Sequence, residues 1–299
     1  MDSIHSLVEA YDASEGKFNV SSLKELLKEL RKSKLRRPDI VFDNWMRVLN
    51  SESGNEVWNL YEQISVAALD VGDVNIANEC ISLLLKKFPD SSRVGRLIGM
   101  QKEQQGKYED ALEIYAELLK KNPANLMILK RRVCVFKAKG DVKREVEELN
   151  ALLKQFPAES ATWMELGELY LSLCDLTAAA HCLEETVLLN PVSALHHVRL
   201  ADVYYSIGGF DSLVRARKHY AISLQHQSAQ HNLRAVYGIL YTCRLILGDT
   251  AATNSGVKDR EHELRVTAEM QNWAVEQLQG FASAPANSAV HAVCTAVIS

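Results

Sequence analysis

Pro89, Pro123, Pro157 and Pro191 recur at intervals of 34 residues, and Gly72, Gly106, Gly140 and Gly208 keep the same period, with Cys174 in the slot where glycine is missing. Punctuation of this kind means one unit used repeatedly. Proline cannot continue a helix and so marks the connection between units. Glycine takes the left-handed conformation that ends a helix inside a unit. Each unit is therefore a helix, a tight turn and a second helix, and stacked units bury one another's apolar faces. Cys174 must change the form of its turn or bear strain of about 1 kcal/mol or more.

Residues 160–192 carry the pattern most completely, with Trp163, Leu166, Gly167 and Tyr170 on the first helix, then Ala179, Leu183 and Pro191. This is the W-x2-L-G-x2-Y, A and P skeleton of the tetratricopeptide repeat. Small residues at its eighth and twentieth positions let the two helices approach, and large residues fill the space around them. The expected fold is all-α: a right-handed α-solenoid of about five to six tetratricopeptide repeats with helical N- and C-terminal caps.

Residues 58–91 and 92–125 fit the frame well; residues 126–159 fit it less well, with Arg132 where leucine is usual and Glu145 where alanine is usual. An arginine there can lay its stem on the core and lift its charge to water. In the fifth unit Ala216 follows Gly208 by eight residues where five would be regular, which predicts a three-residue insertion around Gly209, Phe210 and Asp211. Ala235, Gly238 and Tyr241 mark a sixth, degenerate first helix, so the array spans 58–248. Residues 1–57 form a helical cap: Ser21 or Ser22 starts one helix, with Leu23, Leu26, Leu27 and Leu30 on one face, and Pro38 and Asp39 start another. After a polar loop over 248–256, residues 249–280 close the array through a helix with Leu264, Ala268, Trp273 and Leu278 on its covering face. Residues 281–299, small and polar, are expected to be poorly ordered.

A net charge of −4 argues against a general nucleic-acid binder. Six cysteines without a C-x2-C pair read as reduced core thiols of a cytosolic protein. The N-terminus lacks the basic start and apolar stretch of a secretory signal, and no apolar run reaches the roughly 18 to 20 residues that span a bilayer. Membrane association is therefore expected through a partner.

Catalytic constellations are missing: there is no phosphate-cradling glycine loop and no H-E-x-x-H pair. His196 and His197 are adjacent and diverge by about 100° on a helix, so a shared metal is disfavoured. No catalytic, metal or cofactor residue is assigned. The array offers a groove instead. Positions two, five, nine and twelve of each first helix face inward, which selects Arg93, Arg96 and Met100, then Met127, Lys130 and Lys137. The next two units contribute Met164 and Glu168, then Leu195, Val198, Asp202 and Tyr205. The lining passes from basic to apolar and suits a helix or an extended segment of another protein. Two basic runs, 28–37 and 120–144, read either as solvated faces or as contacts with an acidic protein or membrane surface. A carboxylate-clamp co-chaperone is disfavoured, because the paired inward slots hold Glu62 and Val66, then Arg96 and Met100, with no asparagine. An RNA-associated repeat adaptor stays open as the alternative, although aromatics are not interleaved with the basic run.

Longer stretches are more specific than the repeat consensus. Tyr61-Glu62-Gln63, Ala67-Ala68-Leu69-Asp70, Phe88-Pro89, Lys130-Arg131-Arg132 and Trp163-Met164-Glu165-Leu166 are joined by the inserted turn Gly208-Gly209-Phe210 and by Ala216-Arg217-Lys218-His219-Tyr220. Over about 45–245 the chain resembles the subunit 2 family of the endoplasmic reticulum (ER) membrane protein complex. The resemblance implies a non-catalytic scaffold, peripheral on the cytoplasmic face of the ER membrane, in a complex that inserts transmembrane segments, tail anchors included. It implies as partners a cytosolic deaminase-like, metalloprotease-related subunit, the Oxa-type insertase subunit and other membrane subunits.

Overall fold

A computed structural model describes residues 2–14, 18–33, 35–229, 231–248 and 258–282. Among them are fifteen helices and no strand. The helices are α1 (Asp2–Ala13), α2 (Val20–Ser33), α3 (Pro38–Leu49), α4 (Glu56–Val71), α5 (Val74–Lys87), α6 (Ser92–Gln104), α7 (Tyr108–Lys121), α8 (Leu126–Lys139), α9 (Val142–Gln155), α10 (Ser160–Ser172), α11 (Leu176–Leu189), α12 (Ala194–Ile207), α13 (Phe210–His226), α14 (Leu233–Gly248) and α15 (Lys258–Ala282). From α4 onward they alternate as the two arms of successive hairpins, the α-solenoid pattern expected of the repeat. The chain divides into two compact units, Met1–Glu148 and Leu149–Ser299.

The turns show why the 34-residue period folds as it does. Gly72, Gly106 and Gly140 take φ values of 92°, 72° and 70°. In each case the next residue's N–H reaches back five positions, Asp73 to Ala68 O at 2.9 Å, Lys107 to Lys102 O at 2.9 Å and Asp141 to Phe136 O at 3.1 Å. This left-handed cap satisfies carbonyls that the helix end leaves open. Aspartate then starts the second helix after Gly72 and Gly140, though Lys107 stands there after Gly106; Asp73 Oδ1 accepts from the N–H groups of Asn75 and Ile76, both at 3.0 Å. Cys174 adopts φ 59°, the one positive φ outside glycine among the described residues, and Asp175 N–H still reaches Tyr170 O at 3.0 Å. The turn keeps its form and the cysteine bears the strain. Cys174→Gly should therefore raise stability by about 1 kcal/mol in a urea titration, against the usual direction for glycine. Between units, Phe88, Asn122 and Asn190 lie at φ −133°, −142° and −135° because the following proline excludes the helical region.

In the first unit, Ile4 and Val8 of α1, the four leucines of α2, and Ile40, Val41 and Val48 of α3 share one core with Leu60 and Ile64 of α4. The expected leucine face of α2 is fully buried, but its start differs from expectation. Asn19 Oδ1 accepts from Ser22 N–H at 2.7 Å, so Asn19 is the cap and Ser21 and Ser22 lie inside the first turn. Pro38 does open α3.

In the second unit, Gly167 sits against α11, where an added Cβ would lie 3.3 Å from the Cys182 Cβ. Tyr170 packs on the same core, and Trp163 Nε1 donates to Pro157 O at 2.9 Å. The three extra residues of the fifth unit do not widen the turn. That turn is Gly208 and Gly209 alone, both at positive φ, and α13 runs for 17 residues where α5, α7, α9 and α11 run for 14. Three residues are nearly one helical turn, so the helix absorbs them at its start while Ala216 keeps a buried place. The covering face of α15 is also shifted: Thr267, Ala274 and Leu278 are buried, whereas Ala268 is exposed and Trp273 is 37% exposed. The loop over 249–257 and the tail over 283–299, Cys294 included, lie outside the described residues. Cys80, Cys182 and Cys243 are buried free thiols, and burial pushes the first two up to about 11 and the third to about 12. Cys134 and Cys174 are exposed, so the expectation of core thiols fails for those two.

Candidate partner-binding surface

In the first unit, Arg93 and Arg96 on α6 both reach Glu62 on α4, the second at 3.2 Å. Further along, Glu103 on α6 accepts from the Tyr115 hydroxyl of α7 and from Arg131 of α8. Tyr115 is fully buried, and burial followed by Glu103 raises its phenol above the ordinary range. Met100 and Lys130 are half-buried, Met127 is 55% exposed and Lys137 is exposed.

The second unit repeats the device. Asp202 on α12 accepts from the Tyr220 hydroxyl of α13 at 2.6 Å and from Arg234 of α14 at 2.6 Å. Burial first and Asp202 second raise the Tyr220 phenol. Glu168 on α10 pairs with Arg199 on α12. Leu195 is 57% exposed, while Met164 and Tyr205 are half-buried. Val198 corrects the expected lining. It is 3% exposed and belongs to the core with Ala201 and Tyr204, because α11 and α13 close over that side of α12.

The expected drift from basic to apolar is also modified, since the arginines pair with acids, Arg93 and Arg96 sharing Glu62. Pairs join residues 34 apart for Glu62 and Arg96, 31 apart for Glu168 and Arg199, 32 apart for Asp202 and Arg234, and 28 apart for Glu103 and Arg131. An acid and an arginine about one repeat length apart face each other on adjacent first helices. That spacing is present in the sequence, but only a comparison of adjacent units shows it. The run over 28–37 is likewise internally paired, with Arg31 on Glu56 at 3.1 Å, Arg36 on Asp70 at 3.0 Å and Arg37 on Asp12 at 3.0 Å and Asp39 at 2.7 Å. The hydrogen bond from Arg37 lowers the Asp39 carboxyl below its usual range. In the 120–144 run, Arg132 meets Glu148 at 2.5 Å and Lys139 meets Glu109 at 2.5 Å.

One titratable stack lies under the surface of the second unit. His219 stands between Tyr204 and His197, with ring centroids 5.9 and 5.4 Å away, and His226 stacks on His197 at 5.9 Å. His197 Nε2 lies 2.9 Å from Pro191 O, which can only accept, so this nitrogen donates there, and His197 Nδ1 lies 3.1 Å from His219 Nδ1. Burial, then the neighbouring His197, lowers His219 to about 4, with Glu184 opposing and Arg215 adding to the shift. The unfolded chain binds this proton below about 6.5, so the neutral stack's contribution is complete above that pH and is lost as pH falls towards 4. Allowing for partial solvent exposure, wild type should lose about 1–2 kcal/mol from pH 7 to pH 4.5, and His219→Phe should flatten that part of the urea-derived profile. Parallel profiles would refute this assignment.

Among the described residues, no group of three or more His, Cys, Asp or Glu is placed to hold a metal, and no helix is long and apolar enough to cross a membrane. The profile described as the EMC2 TPR-like repeat domain matches residues 75–219. ER membrane protein complex subunit 2-A of Xenopus laevis is 33% identical over 260 residues, which is 86% of this chain and 84% of that protein. Subunit 2 of Dictyostelium discoideum is 28% identical over 85% of this chain and 82% of its own. TPR repeat protein oca3 of Schizosaccharomyces pombe is 29% identical over 64% of this chain and 68% of its own. With tandem helical hairpins in both units and a relative at this identity matched over most of both lengths, the chain belongs to the ER membrane protein complex subunit 2 family.

Proposed function

We propose that the chain is a non-catalytic scaffold, peripheral on the cytoplasmic face of the ER membrane, that supports insertion of transmembrane segments, tail anchors included. It does so by holding cytosolic and membrane-embedded subunits of the complex together. The observation that carries this reading is the match to a subunit 2 relative over 86% of the chain, and the exposure of Met127, Lys137 and Leu195 on first helices supports it. A cytosolic deaminase-like subunit, the Oxa-type insertase subunit and other membrane subunits are the proposed neighbours. The acids matched to Arg131, Arg132 and Lys139 leave less charge for phosphate, which weighs against the RNA-associated alternative.

Tagged full-length chain purified from membranes in mild detergent should bring these subunits with it. Reversing Lys130 and Lys137 to glutamate should lower recovery of at least one partner about tenfold, because like charges meeting across an interface cost more than a lost contact. A chain recovered without any membrane-embedded subunit would overturn the proposal.

A further inference from the structure

Between the N-terminal cap and the first repeat lies a cavity of about 360 Å³, bounded by α2, α3, α4 and α6. Its apolar side is Val41, Val66 and Ala67; its polar side includes Arg31, Gln63 and Arg96. Two features of this wall are incomplete. Glu62 supplies one carboxylate to two guanidiniums, Arg93 and Arg96, so one positive charge there has no local match. In addition, Arg96 Nε, Arg31 Nη1 and Gln63 Oε1 are buried and make no hydrogen bond. Buried donors and acceptors are nearly always paired, so a set left unpaired just behind one cavity wall marks what an occupant would satisfy after a small side-chain shift.

That set asks for a carboxylate and also for an N–H. Inorganic phosphate brings acceptors for the arginines and a P–O–H donor for Gln63 but has no apolar part to cover Val41, Val66 and Ala67, and a lipid phosphodiester lacks the donor. An extended polypeptide carries both kinds of group on its main chain, and an acidic side chain adds the missing charge. We propose that this cavity binds an extended protein segment with an aspartate or glutamate seated against Arg93 and Arg96 and an apolar neighbour against Val66 and Ala67. The inference rests on the reading above that the first helices hold partner proteins, and it names where one of them enters and with what chemistry.

The test is an immobilised array of peptides of about ten residues, in which acidic, amide and basic residues alternate with leucine, probed with the folded full-length chain in physiological salt. Retention on the acidic peptides should exceed that on their glutamine counterparts about tenfold. Arg93→Glu changes a side chain that is 66% exposed and leaves the fold intact, and it should remove that preference. Val66→Trp fills the cavity and should lower retention without changing the helical circular dichroism signal. Equal retention of acidic and glutamine peptides overturns the proposal, and so does a preference that survives Arg93→Glu. Competition by millimolar phosphate or by anionic vesicles as effective as competition by free acidic peptide also overturns it, in favour of an anion site. No acidic preference in the wild-type chain, with subunit co-purification intact, refutes this inference alone; absence of co-purifying subunits from a wild-type chain that keeps the preference refutes the assembly reading alone.

Discussion

Replacing Arg217 with alanine should destabilise the second unit by about 3–5 kcal/mol and release α15 from it. The guanidinium is 1% exposed, and its Nη1 donates to Glu263 O at 3.0 Å and to Thr267 Oγ1, while Nη2 pairs with the Glu263 carboxylate. Burial raises the Glu263 carboxyl, but hydrogen bonds from Lys218 and Arg217 prevail and hold it below its usual range. Truncating the arginine leaves that carboxylate with Lys218 alone, at 2.7 Å on the exposed side. Hydrogen exchange should show the change first in residues 258–282, because the other helices of the unit keep their own partners. A double change to alanine at Arg217 and Glu263 should cost less than the two single changes added together. A loss below about 0.5 kcal/mol for Arg217→Ala would mean that α15 docks through Ala274 and Leu278 without help from the charge.

Gly99→Ala should cost about 1–3 kcal/mol or more, a large effect for one methyl group. The added carbon would lie 2.3 Å from the Tyr115 ring, far inside contact distance, and the ring cannot retreat because Tyr115 is fully buried and its hydroxyl is held by Glu103. Tyr115→Leu should rescue part of the loss, whereas Tyr115→Phe should not, since the ring and not the hydroxyl causes the clash. Gly95→Ala is the control: its new methyl meets only the tip of Leu118 at 2.8 Å, which can rotate away, so its cost should be smaller. Equal melting points for the Gly95 and Gly99 variants would show that the Tyr115 ring is not fixed.

The 34-residue period made the hairpins legible because each punctuation mark has its own local cause, glycine at a left-handed cap and proline at a break. The same locality singles out Cys174, where the sequence allows an altered turn or a strained one and the structure has the strained one, at φ 59°. What escaped the sequence was longer in range. A three-residue insertion can widen a turn or lengthen a helix at nearly equal local cost, and only the packing of Ala216 and Tyr220 selects the longer α13. The covering face of α15 was misplaced because a nearly uniform scatter of apolar residues defines no stripe, and buried Arg217, a charge, fixes which side turns inward. Val198 was assigned to an open surface by counting positions in one helix, but burial there is decided by neighbours on both sides. Matching acids with arginines required comparing adjacent units rather than reading each alone.

Glu62 and Arg96 stand 34 residues apart, the length of one unit. Excising residues 92–125 would therefore bring Lys130 to the place of Arg96 and Met127 to that of Arg93. The carboxylate would still meet a cation, though a single one with no planar fork. Loss of this whole unit is thus electrically tolerated at this seam.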